Sequence, residues 1–333
     1  MQPPGGETGG SDTRGGEKRL SRRSLLRRAS AGGLSLAAIG ALGSGRAAPG
    51  TDPLTIVHGS QFHGRFGPPD APAISRYAAV VEELRNDFRN SAFLATGDDI
   101  AKAPLATFFR GKHIVDAMNY LDPLAGAIGN HEFDYSPYLL RRRVKSSSFP
   151  WLSANLLAGT NRPLPGARRW ITRSVGDLTV GVFGLSVLDL AHYLYYPANY
   201  RMRRATQAAR SAVEALDRRG VDYVVGASHL RLRDSKALAR KVDRIDLLVG
   251  DHAEHVLEGP LEIEGTTIDS VGAEFDRVGR VTVDGEGVAE YERVPVTPRV
   301  NRDAGMRRIV ARWRQRYQVE NPIGEDVTVP LPP

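Results

Sequence analysis

From Leu54 onward, short apolar runs alternate with stretches in which apolar residues return every three or four positions. The runs at 54–58, 92–96, 124–128, 149–154, 178–185, 221–227 and 245–249 are bounded by turn residues such as Gly, Asp and Asn and show little polar alternation. They predict strands buried on both faces, inside sheets that are covered on both sides. Between the first two, Ile74, Tyr77, Ala78, Val81, Leu84 and Phe88 share one helical face, with Pro72 near the expected first turn. Further helices are predicted over 107–121 and 204–219. Strands alternating with helices predict an α/β domain, assigned to 51–300, whose helices pack over a largely buried sheet. After Gly259 two further strands, 261–268 and 278–283, predict sheet pairing at the end of that domain. The segment 301–333 reads as a docking helix, with Met306, Ile309, Val310, Trp313 and Tyr317 on one face and arginines on the other. Pro322, Pro330, Pro332 and Pro333 then end regular structure in a proline-rich tail.

The first 50 residues have a different character. A Gly-rich polar start, expected to be disordered, leads to Arg22-Arg23, a mildly apolar stretch over 29–43 and the small-residue segment Arg46-Ala47-Ala48. This order predicts a signal peptide of the twin-arginine type and export to the periplasm, the cell surface or the medium. The apolar stretch suits a cleavable leader better than an anchor, and no run reaches the roughly 18 residues of a stable membrane span. Through Gly50 the chain carries eight basic and three acidic residues, which leaves 37 basic against 35 acidic residues for the remainder. The body is therefore nearly neutral, and no nucleic-acid partner is expected. There is no cysteine, so thiolate metal sites, thiol nucleophiles and disulfides are excluded.

Four of the eight histidines, His63, His131, His229 and His252, follow predicted strands, and a fifth strand ends in Gly97-Asp98-Asp99. Residues just beyond the carboxyl ends of strands in an open α/β sheet point into one crevice, where such folds bind ligands. Imidazole, carboxylate and amide oxygen are donors that borderline divalent cations accept. In Asn130-His131, Asp134 follows the histidine at a spacing that allows a hydrogen bond fixing the imidazole tautomer. Asp99 and Asp251 read as supporting or solvated loop carboxylates.

In this order the motifs resemble the calcineurin-type metallophosphoesterases, and more closely the metallophosphatase domain of secreted 5'-nucleotidases and UDP-sugar hydrolases. Gly129-Asn130-His131-Glu132-Phe133-Asp134-Tyr135 is similar to that family's signature, and Phe149-Pro150-Trp151-Leu152-Ser153-Ala154-Asn155 resembles its next strand. The resemblance covers about Leu54 to Val283. It implies a four-layer αββα sandwich with two mixed sheets, and two divalent metal ions (Mn, Zn, Fe, Co or Mg). Their ligands would be Asp98 as the shared carboxylate, Gln61, His63 and Glu254 on one ion, and Asn130, His229 and His252 on the other. His131, held by Asp134, would act at the leaving oxygen of a small-molecule phosphoester, a nucleotide by family likeness. Two positions depart from the family pattern: Gln61 stands where it has Asp, and Glu254 where it has His or Gln. A carboxylate lost at one ligand position is gained at another, which leaves the ligand charge unchanged; His255 is the alternative ligand if the loop shifts by one residue. The family's carboxy-terminal nucleotide-binding domain is expected to be absent, since Pro333 falls about where its linker would lie. That leaves open a broad phosphomonoesterase, a diesterase for cyclic nucleotides or UDP-sugars, or a metal-poor surface protein. The run Arg141-Arg142-Arg143-Val144-Lys145 reads as a solvated helix face.

Overall fold

The computed structural model describes residues 51–67, 73–159, 161–187 and 199–320. The predicted leader in 1–50, Pro72 and the proline-rich tail over 321–333 lie outside the described residues.

Two six-stranded mixed sheets form the centre. The first runs in the order Gly287–Pro295, Arg277–Asp284, Leu54–His58, Ser91–Ala95, Ala125–Ala127, Trp151–Leu152, with its first two pairings antiparallel and the rest parallel. The second runs Leu261–Ile263, Thr266–Asp269, Leu247–Val249, Tyr223–His229, Leu178–Ser186, Trp170–Val175, antiparallel only at its two edges. Leu54, Ile56, Leu94, Val180, Val182, Val225 and Leu247 fill the space between the sheets. Their chain neighbours face the other way: Val57 and Phe93 towards the helices Ile74–Asn86, Lys112–Leu121 and Ala304–Glu320, and Phe183, Val224 and Leu248 towards Ala205–Asp217 and Leu232–Ala239. The result is the expected four-layer αββα sandwich with two mixed sheets. It also explains the unbroken apolar runs, because strands covered on both faces have no polar side to alternate with.

Where boundaries differ from the sequence reading, close backbone approach or turn chemistry is the cause. The predicted helix 107–121 divides into Pro104–Phe109 and Lys112–Leu121 at Arg110 and Gly111, which take φ of 51° and 73°. Gly111 is required there, since a Cβ would lie 2.1 Å from Ile100. The strand expected over 221–227 is Tyr223–His229, because Asp222 is used as a corner: its N–H donates to Thr179 and its carboxylate accepts from the Thr179 N–H. His229 is thus the last residue of the strand rather than the second beyond it. The run 261–268 is a hairpin turning at Glu264 and Gly265, both at positive φ. The helix Ala304–Glu320 docks through Met306 and Trp313, at 0% and 5% exposure. Each such side chain contributes about 2 kcal/mol of apolar burial. Among the described residues no helix is long and apolar enough to cross a membrane.

Candidate metal centre

The carboxyl ends of Leu54–His58, Ser91–Ala95 and Ala125–Ala127 in one sheet meet those of Tyr223–His229 and Leu247–Val249 in the other. The junction is direct: His229 Nδ1 lies 2.9 Å from the Thr96 carbonyl oxygen. A carbonyl only accepts, so Nδ1 donates and Nε2 is left to face the crevice. Nε2 meets Asp98 Oδ2 at 2.9 Å, His252 Nδ1 at 3.2 Å and Asn130 Oδ1 at 3.3 Å. Such a group of electron-pair donors is repulsive unless a proton or a cation lies among them. Ligand atoms of Asp98, His229 and His252 all fall within 4.8 Å of one another. Burial alone would lower the His229 imidazole, but the Asp98 charge and hydrogen bond outweigh it and hold the ring up at about 9. Burial pushes the Asp98 carboxyl up, yet His229 and then His131 bring it well below the usual carboxylate range. His252 is lowered by burial and then by His229. The donor set fits a borderline divalent metal, which would replace the proton on His229.

Beside it lies a second group. Gln61 is buried, its Nε2 donates to the Asp251 carbonyl at 2.7 Å, and its Oε1 has no hydrogen-bond partner. His63 Nε2 is likewise buried without a hydrogen bond, 3.5 Å from Glu254 Oε1. Buried polar atoms left unpaired cost about 1–3 kcal/mol each, and a cation bound by Gln61 Oε1 and His63 Nε2 would remove that cost. His255 turns away, with Nδ1 at 2.7 Å from Asp251 Oδ2. On its other side His63 faces a residue that the sequence did not single out: Nδ1 lies 3.7 Å from Glu274 Oε1, and the Glu274 N–H donates to the Gln61 carbonyl at 3.2 Å. The His63 ring, outweighing half-burial, and Arg65 hold the Glu274 carboxyl below its usual range. Gln61, His63, Asp98, Glu254 and Glu274 all have φ between 48° and 60°. Left-handed backbone at non-Gly residues is strained by roughly 1–3 kcal/mol each and clusters at functional sites.

His131 stands between the two groups. Its N–H donates to Asp98 Oδ1 at 2.8 Å, its Nδ1 meets Asp134 Oδ2 at 2.8 Å, and its ring lies 5.8 Å from that of His63. Glu132, next to it, is the loop clip that sequence reasoning missed. Its buried carboxylate accepts from the backbone N–H groups of Asp98, Asp99, Ile100 and Gly129 at 2.7–3.2 Å, tying the two loops together. Gly129 permits the approach, since a Cβ there would meet Asp98 Oδ1 at 2.2 Å. Asp99 accepts from the Phe62 N–H and Ser60 Oγ, both at 3.2 Å, fixing the loop that carries Gln61 and His63. Burial pushes Asp99 up to about 7 and, with the charges of Asp98 and Asp99, Glu132 up to about 8. Asp99 and Asp251 are both fully buried, so the solvated reading of these two fails. Arg141, Arg142 and Lys145 are exposed on the helix Pro137–Ser146.

No protein-family model matches the chain. It is 29% identical to a snake venom 5'-nucleotidase of Crotalus adamanteus over 63% of its length and 38% of the relative's. Against an apyrase of Aedes aegypti it is 25% identical, covering 62% of this chain and 40% of that protein. It thus spans about two fifths of the length of these relatives, 40% and 38%. Among solved structures, a 5'-nucleotidase precursor from Thermus thermophilus superposes with a TM-score of 0.73 at 24% identity, over 80% of this chain and 59% of that one. A calcineurin-like phosphoesterase from Bacillus subtilis superposes with a TM-score of 0.69 at 16% identity, over 79% and 97%. With the sandwich fold and the donors already described, the chain is similar to the metallophosphatase domain of these 5'-nucleotidases.

Proposed function

We propose that this chain is an exported two-metal phosphoesterase of the 5'-nucleotidase type, acting on nucleotides or closely related phosphate esters. The observation that carries the reading is the meeting of Asp98 Oδ2, Asn130 Oδ1 and His252 Nδ1 around His229 Nε2, with His131 hydrogen-bonded to the same aspartate. Asp98, Asn130, His229 and His252 would hold one ion, and Gln61, His63 and Glu254, with Asp98 shared, the other. When bound, such ions neutralise phosphate oxygens and acidify the attacking water.

The protein's own part follows from the hydrogen bonds. Asp134 accepts from His131 Nδ1, so Nε2 is the atom presented to substrate. The Asp98 contact to the His131 backbone fixes where that ring stands relative to the shared carboxylate. In hydrolysis the water oxygen bonds to phosphorus as the ester oxygen departs, and protonated His131 gives its Nε2 proton to that oxygen. The unpaired Oε1 of Gln61 supports a working site with exchanged ligands over a metal-poor one, because the amide is already turned and held as a ligand would be.

The relatives named as nucleotidases and apyrases support a nucleotide substrate, and Arg22-Arg23 with the apolar stretch behind them supports twin-arginine export. The test is a panel of a nucleoside monophosphate, a cyclic nucleotide and a nitrophenyl phosphate, assayed with Mn, Zn, Co and Mg. Hydrolysis should fall by roughly 10²–10⁴ in His131→Ala, while metal content stays near normal. An inactive chain with both ions bound, or unchanged turnover in His131→Ala, would refute the assignment. For export, lysine at both Arg22 and Arg23 should retain the precursor in the cell, and undiminished secretion would remove the twin-arginine assignment.

A further inference from the structure

The helix Ala304–Glu320 carries two stripes of different purpose. Met306 and Trp313 bury it against the sandwich. Ala304, Arg307, Arg308, Ala311 and Arg314 recur at three- and four-residue steps and therefore share another side. That side lines a half-open cavity of about 530 Å³, whose lining also includes Phe66, Gly67, Ser75 and Arg302. The two alanines leave the space, and the four guanidinium groups border it. Among the described residues no carboxylate lines it.

The other arginines of the helix are compensated: Arg312 pairs with Asp116, and Arg316 with Glu320. Arg307 and Arg308 have no carboxylate partner among the described residues. Arg314 donates to the Gly67 carbonyl at 2.6 Å, which aims it across the cavity, and burial followed by the charge of Arg302 lowers its pKa. The first-turn N–H of Met306 is already taken by Asp303 Oδ1 at 2.6 Å, so the guanidinium groups rather than the helix end are the binding elements. Like charges bordering one cavity repel each other, and an anion among them reverses the sign. Guanidinium forks match the oxygens of phosphate and carboxylate in pairs, and the volume is that of a small-ligand pocket.

We propose that this cavity is a second binding site, separate from the metal centre, for a small molecule carrying several phosphate or carboxylate groups. Calorimetric titration of the metal-loaded full chain with inorganic pyrophosphate, and separately with citrate, tests it and distinguishes the two oxygen sources. At low ionic strength at least one of the two anions should bind saturably. The double variant Arg307→Ala/Arg308→Ala should weaken that event by about tenfold or more. Arg233→Ala, which removes one charge from an exposed arginine elsewhere, should leave it intact. Hydrolysis of a nitrophenyl phosphate without added polyanion should be the same in the double variant, which separates failure here from failure of the metal centre. Absence of saturable binding, undiminished binding in the double variant, or an equal loss in Arg233→Ala would overturn the proposal.

Discussion

His229, Asp98, Asn130 and His252 meet where two sheets are pinned together, whereas Gln61, His63 and Glu254 belong to loops held by other loops. In the first group His229 is fully buried at a strand end and hydrogen-bonded to the opposite sheet at Thr96, so its ring cannot turn. In the second, the Glu254 side chain is 46% exposed and lies on left-handed backbone, and His63 is steadied by Glu274 on a third loop. The first group has one donor, His229, on a strand end, and the others, Asp98 on left-handed backbone among them, already lie within 3.3 Å of its Nε2. The second group has no donor on a strand, and an ion would complete it through the unpaired Gln61 Oε1 and His63 Nε2. In the proposed two-ion centre the His229 group would hold its ion more tightly than the Gln61 group.

The largest effect should come from the residue common to both. In the proposed centre Asp98 would serve both ions, so Asp98→Ala, which also removes the acceptor of the His131 N–H, should abolish detectable phosphoester hydrolysis along with binding of both ions. Normal occupancy of either group, read by elemental analysis, would break the comparison at its hinge. Glu274→Gln should act on the loop group alone, since it weakens the carboxylate beside His63 Nδ1. Loss of a carboxylate that orients a ligating histidine costs about 10- to 100-fold in metal affinity. Calorimetry should show this for the weaker ion while the tighter ion is unchanged, and equal weakening of both would argue against separate groups.

A smaller effect concerns His113, fully buried beneath the loop group, whose Nε2 lies 2.7 Å from the Gly64 carbonyl. Burial holds its imidazole down at about 4. A lowered folded-state value means that stability present above the unfolded value near 6.5 is lost as pH falls towards 4, up to about 3 kcal/mol in all. Asp99 and Glu132, raised by burial, act in the opposite sense over the same range. The quantity to read is therefore the stability difference between metal-free wild type and His113→Gln in denaturant melts. It should shift against the wild type between about pH 6.5 and pH 4, and a constant difference would show that His113 does not titrate as stated.

The layer order was legible because strands buried on both faces have a simple signature, and the order of donors was legible because all but His229, itself the last residue of its strand, follow a glycine just past a strand end. Asp134, three residues from His131, needed only local spacing. Glu132 was invisible for a physical reason: its partners are backbone N–H groups, which leave no mark in a sequence. Glu274 lies 211 residues from His63, and only the closing of the first sheet by Arg277–Asp284 against Leu54–His58 brings its loop there. The break at Gly111 carried a faint signal, a glycine within a helical period, but the contact with Ile100 that demands it is tertiary. The arginines at 307, 308 and 314 were legible as a charged face and not as the lining of a cavity.

In the proposed centre two donor groups of unequal strength share Asp98, and metal stoichiometry in the purified full chain reads both at once. Elemental analysis should find two divalent ions per chain, one in Glu254→Ala, and two again in Gln61→Asp/Glu254→His, which puts a carboxylate and an imidazole back in exchanged positions. Glu254→His alone should stay at one, giving the non-additive cycle expected of residues that serve a common ion. Two ions retained in Glu254→Ala, or strictly additive losses around the cycle, would mean that Glu254 is not a ligand and would contradict the account.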